Sequence, residues 1–168
     1  MFSILLAFSA ASVAQQMAPA KQGMQQCQMP NAAAKTCFSL SRVRQTSPST
    51  YAFDSEILVD EAGTITATIH STVFVRGGAI CEVMKRSDLD QATIASEGNR
   101  QGRAQSAEYR ARLEADYAPV FGHTICTQIV ADEDGSLTVI GTLDGRRIPA
   151  GDYPMLWVKP EDGWKVAP

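Results

Sequence analysis

The 168-residue chain holds few of the residues that usually carry chemistry: two histidines, two tryptophans and four cysteines. It contains no Gly-x-Ser-x-Gly nucleophile elbow, no His-Glu-x-x-His zinc helix, no Ser-x-x-Lys pair and no phosphate-cradling Gly-x-x-x-x-Gly-Lys. Each absence removes a class of enzyme whose catalysis needs those groups at short range. Any imidazole acid–base scheme must run through His70 or His123. His70 falls on a Thr-rich strand face, and His123 follows Gly122 at a helix-to-strand junction. Both are ordinary positions for a structural histidine.

A strong excess of one charge is lacking too. Fifteen Lys and Arg against eighteen Asp and Glu leave a net charge of −3, far from the basic excess that draws a protein to phosphates, so no nucleic-acid partner is expected. No apolar run approaches the roughly 20 residues that cross a bilayer, so no transmembrane span is expected. Closely paired metal ligands are missing as well. There is no Cys-x-x-Cys, and His123 and Cys126, three apart on a predicted strand, point to opposite faces. Asp132-Glu133-Asp134-Gly135 is acidic like a calcium loop, but the first and twelfth ligand positions would fall on Val130 and Gly141. Met17, Met24 and Met29 could offer thioethers to Cu(I), yet their spacing is irregular and no histidine accompanies them. No metal and no cofactor are expected.

What is present describes a folded protein with an address. A hydrophobic content of 45% with 20% charged residues excludes a wholly disordered chain, and the length suits one domain. Met1 to Ala14 reads MFSILLAFSAASVA, a short apolar run followed by small residues, which resembles the apolar stretch and cleavage site of a secretory signal peptide. Residues 1–14 are therefore read as a signal peptide. Gln15 to Gln26, rich in Gln, Ala and Met with Pro19 and Gly23, reads as a flexible leader, and 27–168 as a single globular domain. A periplasmic or extracellular location follows, and with it an oxidising compartment. The even set Cys27, Cys37, Cys81 and Cys126 then reads as disulfides. Four thiols allow three pairings. Cys27–Cys37 and Cys81–Cys126 are favoured, because the first closes a short loop containing Pro30 and Asn31 and the second joins two predicted strands.

Period-two alternation dominates Tyr51 to Val75. Tyr51, Phe53, Ile57 and Val59 share one face with Ser55, and Ile65, Ala67, Ile69, Val73 and Val75 alternate against a Thr-rich face. Arg76-Gly77-Gly78 turns the chain into a third strand from Ala79 to Met84. Ser87 and Asp88 suggest a short helical turn. Arg103 to Phe121 predicts the one long helix, with Tyr109, Leu113, Tyr117 and Val120 on one stripe and an alanine stripe opposite that meets solvent or a partner. Ile125 to Ala131, Leu137 to Leu143, and the segments flanking Asp162-Gly163 complete a second group of hairpins joined by Asp-Gly turns. The expected class is α+β: an antiparallel meander of hairpins, disulfide-stabilised, with one long helix packed on one sheet face.

The C-terminal region offers the candidate contact residues. Arg146 and Arg147 follow an Asp-Gly turn, and Tyr153, Trp157 and Trp164 supply aromatics on or beside the last hairpin; Arg and Trp often dominate binding hot spots. Trp157, between Leu156 and Val158, reads as core. These features suggest an exported binding or accessory module of the cell envelope or secreted fraction, with an unidentified protein or envelope ligand as partner. The alternative is an extracytoplasmic, hydrolase-like enzyme whose site is assembled from scattered residues, such as His123 with nearby carboxylates. A deep polar pocket holding His70 or His123 would favour that enzyme.

Overall fold

The structure, a computed structural model, describes residues 12–60 and 62–168. Residues 1–11 of the expected signal peptide lie outside the described residues. The chain opens with two single-turn helices, α1 (Val13–Gln16) and α2 (Ala18–Lys21), followed by strands β1 (Gln25–Gln28), β2 (Thr36–Cys37), β3 (Ser39–Ser47), β4 (Thr50–Leu58), β5 (Ile65–Arg76) and β6 (Ala79–Val83). Next come α3 (Arg86–Asp90), the small hairpin β7 (Thr93–Ser96) and β8 (Asn99–Arg100), and α4 (Ala107–Tyr117). The last strands are β9 (Thr124–Ala131), β10 (Leu137–Leu143), β11 (Arg146–Arg147), β12 (Tyr153–Val158) and β13 (Lys165–Val166).

The expected α+β class is corrected. Strands take 47% of the chain, and eight of them close into an antiparallel barrel in the order β4-β3-β1-β12-β10-β9-β6-β5, with β5 returning to pair β4. Closure rests on pairings between segments remote in sequence: Gln25 opposite Val158 joins β1 to β12, and Cys81 opposite Cys126 joins β6 to β9. Hairpin signals report only neighbours in sequence, so they suggested an open meander. Hairpins form at the Gly77-Gly78, Asp134-Gly135 and Asp144-Gly145 turns, but not at Asp162-Gly163, where a 3-10 turn leads into β13 and β13 pairs in parallel with β2 rather than returning on β12. Gly77 and Gly78 have φ of +57° and +80°, and Asp144 and Gly145 have +49° and +80°, the left-handed geometry a two-residue hairpin loop requires.

The flexible-leader expectation for 15–26 is corrected as well. Ser12 caps α1, its hydroxyl accepting from Gln15 N–H at 3.3 Å while Ser12 N–H donates to Gln15 Oε1 at 2.9 Å. Val13 and Met17 then enter one end of the barrel, Met17 fully buried, against Val43, Tyr51, Val73, Ile80, Ile129, Val139 and Met155. The Gln16 side chain accepts from the Ile129 N–H at 3.1 Å, satisfying a donor beyond the end of β6. Residues Gln25 and Gln26 belong to barrel strand β1. Two apolar side chains in a polar stretch suffice here, because the barrel end supplies their partners.

The helix covers one patch of sheet on β4 and β5 rather than the face of an open meander. α4, running on into a 3-10 turn at Ala118–Val120, lies over the part of the β4–β5 hairpin that extends past the barrel, where Leu113, Tyr109 and Tyr117 pack with Ile57, Ile65, Ala67 and Ile69. Its alanine side, Ala104, Ala107, Ala111, Ala115 and Ala118, is exposed. Arg110 ties α4 to α3, donating to the carbonyls of Leu89 at 3.1 Å, Asp90 at 3.0 Å and Ala92 at 2.6 Å. Both expected disulfides are present, Cys27–Cys37 and Cys81–Cys126, with Cα separations of 5.4 and 4.0 Å. They are consistent with an oxidising, extracytoplasmic location. Among the described residues no helix is long and apolar enough to cross a membrane.

Candidate ligand site in the barrel lumen

Alternate residues of a barrel strand point inward, so the register identifies the lumen. At the end filled by Val13 and Met17 the inward residues are apolar. Further along, they become polar. Gln26 and Gln28 of β1 stand beside Ser41 and Ser39 of β3, and Ser41 stands opposite Ser55 of β4, their hydroxyls 2.8 Å apart. Ser71 of β5, Glu82 of β6, Thr127 of β9 and Tyr153 of β12 continue the belt around the wall. An eight-stranded barrel is about wide enough to be filled by its own side chains or to hold one small ligand, and small serines at four of these positions leave room.

The space they leave is divided in two. An inner chamber of about 120 Å³ is floored by Val73, Ile80, Ile129 and Val139, with Phe53 in its wall. An outer chamber of about 300 Å³ reaches Ile57, Ile69 and Met84, and is bounded by Tyr117 of α4 and by Ile148 and Gly151 of the turn before β12. Gly141 permits this boundary: a Cβ there would lie 3.2 Å from the Gly151 carbonyl oxygen. Ser71, Glu82, Thr127 and Tyr153 line both chambers, which places the Glu82 carboxyl at their junction.

Glu82 is the one charged side chain among the described residues lining either chamber. Burial pushes its carboxyl above the ordinary carboxylate range, a hydrogen bond from Ser71 works the other way, and the charge of Asp88 adds to the rise. The two phenols respond to the same surroundings. Burial, the charge of Glu82 and then Tyr117 push Tyr153 up to about 12, and burial followed by the charges of Glu82 and Asp116 raises Tyr117. Burial thus works against the charged form of all three groups. The arrangement is a half-polar, half-apolar hollow with one carboxyl, two phenols and a ring of hydroxyls and amides, suited to hold a small molecule by hydrogen bonds at one end and apolar contact at the other.

Neither histidine lines these chambers. His70 Nδ1 lies 2.6 Å from Asp54 Oδ1 on the outer face of the β4–β5 pair, and His123 Nδ1 lies 2.6 Å from Asp144 Oδ2, where Thr124 N–H donates to the same carboxylate at 2.9 Å. That backbone bond first, and His123 second, holds Asp144 below the usual carboxylate range. The contact residues read from the sequence are not brought together. Arg146 and Arg147 are exposed on β11, at the end of β10, with Arg147 ion-paired to Asp152. Trp164 is half-buried outside the barrel, packed against the Cys27–Cys37 disulfide, Leu40, Leu156 and Val158. Beside it lies an external hollow of about 520 Å³ lined by Arg42, Asp54, Glu56 and His70. Trp157 packs against the core cluster at the filled end of the barrel. The three methionines are dispersed: Met17 is consumed by packing and Met29 is exposed.

The sequence reading did not single out Glu82, Ser71 or Thr127, and it named Tyr153 only as an aromatic of the C-terminal contact region. The available signal was Glu82 itself, an acidic residue alternating with Ile80 and Met84 in the segment read as a third strand. Compared with known proteins, the chain matches no family model, no curated protein and no solved structure.

Proposed function

We propose that this protein is an exported, periplasmic or extracellular binding protein whose barrel lumen holds one small ligand. The single observation that carries the reading is the polar belt: a barrel evolved only to be stable would fill its centre with interlocking apolar side chains, whereas here serines, glutamines and a carboxyl surround about 120 and 300 Å³ of space. The paired disulfides and the apolar N-terminal run support export. Binding is favoured over hydrolysis because both histidine–aspartate pairs sit on outer surfaces, away from the chambers. No nucleic-acid partner is proposed, in keeping with the mildly acidic charge.

The test compares the wild type with Ser71→Phe, which fills the lumen from a wall shared by both chambers. Protein recovered from the exported fraction is denatured and its small-molecule content read by mass spectrometry, and a panel of small organic compounds is then tested by ligand-observed NMR. The wild type is expected to carry or bind compounds that Ser71→Phe does not. Equal profiles for the two proteins in both measurements would reject the lumen as a ligand site.

A further inference from the structure

Building on the lumen reading, we infer that the ligand is a small organic cation, a protonated amine with an apolar or aromatic body, whose charge is met by the Glu82 carboxylate. Three observations lead there. First, among the described residues Glu82 has no cationic neighbour in the lumen: the titratable or charged groups facing it from the packed elements are Tyr153 of β12, Tyr117 of α4 and Asp88 of α3. A lone carboxyl in a partly desolvated wall costs stability, and a ligand that supplies the missing positive charge turns that cost into affinity and selectivity. Second, Tyr153 lines both chambers, with Phe53 in the wall of the inner one and Tyr117 at the outer one, and aromatic faces attract cations while repelling anions. Third, the hydroxyls of Ser55, Ser71 and Thr127 and the amide of Gln28 surround the junction and provide acceptors for the remaining N–H groups of an ammonium, while the apolar floor accepts a hydrocarbon body.

The proton balance follows. Burial strengthens the hold of the empty-barrel carboxyl on its proton, and an ammonium pairs only with the carboxylate, so any proton the carboxyl holds leaves to solvent as the pair forms. Cation binding therefore tightens as pH rises through the Glu82 titration.

Three probes with one skeleton test this: benzylamine, benzyl alcohol and benzoate, titrated calorimetrically into the wild type, Glu82→Gln, Glu82→Asp and Ser71→Phe near pH 8. The wild type is expected to prefer benzylamine to benzyl alcohol by at least about tenfold, the scale of a charge-assisted hydrogen bond, with benzoate weakest. Glu82→Gln is expected to erase the preference while still binding the alcohol, and Glu82→Asp to keep part of it. Thermal melts confirm that each variant is folded. If the alcohol or benzoate binds as tightly as the amine and Ser71→Phe abolishes both, the lumen is a ligand site and the cation inference is overturned. If no probe binds the wild type, or Ser71→Phe leaves binding unchanged, the lumen reading falls and the inference falls with it.

Discussion

At the scale of single residues, Glu82 sets the pH response. Its carboxyl is raised in the folded protein above its ordinary value of 4.5, so the folded state holds this proton more tightly than the unfolded chain. The resulting stabilisation is fully present below the unfolded value and is lost as pH rises through the folded one. Replacing Glu82 by Gln, which keeps the shape and stays neutral, is therefore expected to stabilise the empty protein at neutral pH and to make little difference in acid. Urea melts of the two proteins across this range check it; a variant less stable at pH 8 than the wild type would contradict the assigned desolvation. Met17 is a simpler case. It is fully buried at the filled end of the barrel, so Met17→Ala is expected to cost about 2–5 kcal/mol, read as a lower denaturation midpoint at unchanged slope.

Elements explain why small segments matter. The α1 turn is too short to persist alone; it holds because Ser12 caps it and Val13 and Met17 insert into the barrel. A signal-peptide cut after Ala14 would remove the cap and Val13. Ser9-Ala10-Ala11 offers the same small-x-small pattern three residues earlier, and a cut there leaves Ser12 as the first residue. N-terminal sequencing of exported protein is accordingly expected to begin at Ser12; a start at Gln15 would mean that α1 is dispensable. At the other end, α4 depends on Arg110, whose guanidinium meets three carbonyls around the end of α3. Arg110→Met, which keeps most of the apolar stem, is expected to cost about 1–3 kcal/mol and to speed amide exchange in Ala107–Tyr117 ahead of the barrel strands. Uniform acceleration across the barrel would place Arg110 in the global core instead.

For the molecule as a whole, one disulfide braces the barrel wall and the other ties barrel strand β1 to β2 outside it. Cys27–Cys37 joins β1 to β2 across 10 residues, and Cys81–Cys126 joins facing residues of β6 and β9 across 45. On the loop-entropy account they stabilise by about 3 and 4 kcal/mol, which is large beside a domain's net stability of about 5–15 kcal/mol. Reduction is expected to lower the thermal midpoint sharply, with Cys81→Ala/Cys126→Ala more affected than Cys27→Ala/Cys37→Ala; equal midpoints with and without reductant would refute the assigned role.

The parts legible in the sequence were those with local causes. The β4–β5 hairpin, with its Thr-rich outer face, the Asp-Gly turns and the buried stripe of α4 follow from side-chain periodicity and turn chemistry. The cysteine pairing was only favoured among three, and Cys81–Cys126 rests on β6 meeting β9. β1 and β3 were missed because their inward positions carry Gln26, Gln28, Ser39 and Ser41: a polar lumen reverses the apolar-in pattern by which strands are recognised. The N-terminal plug was missed because two apolar residues carry no period. Barrel closure and the place of Glu82 belong to the tertiary structure alone. Both depend on β1 meeting β12 and β6 meeting β9, contacts between residues far apart in the chain, where inter-strand register decides which side chains share an interior.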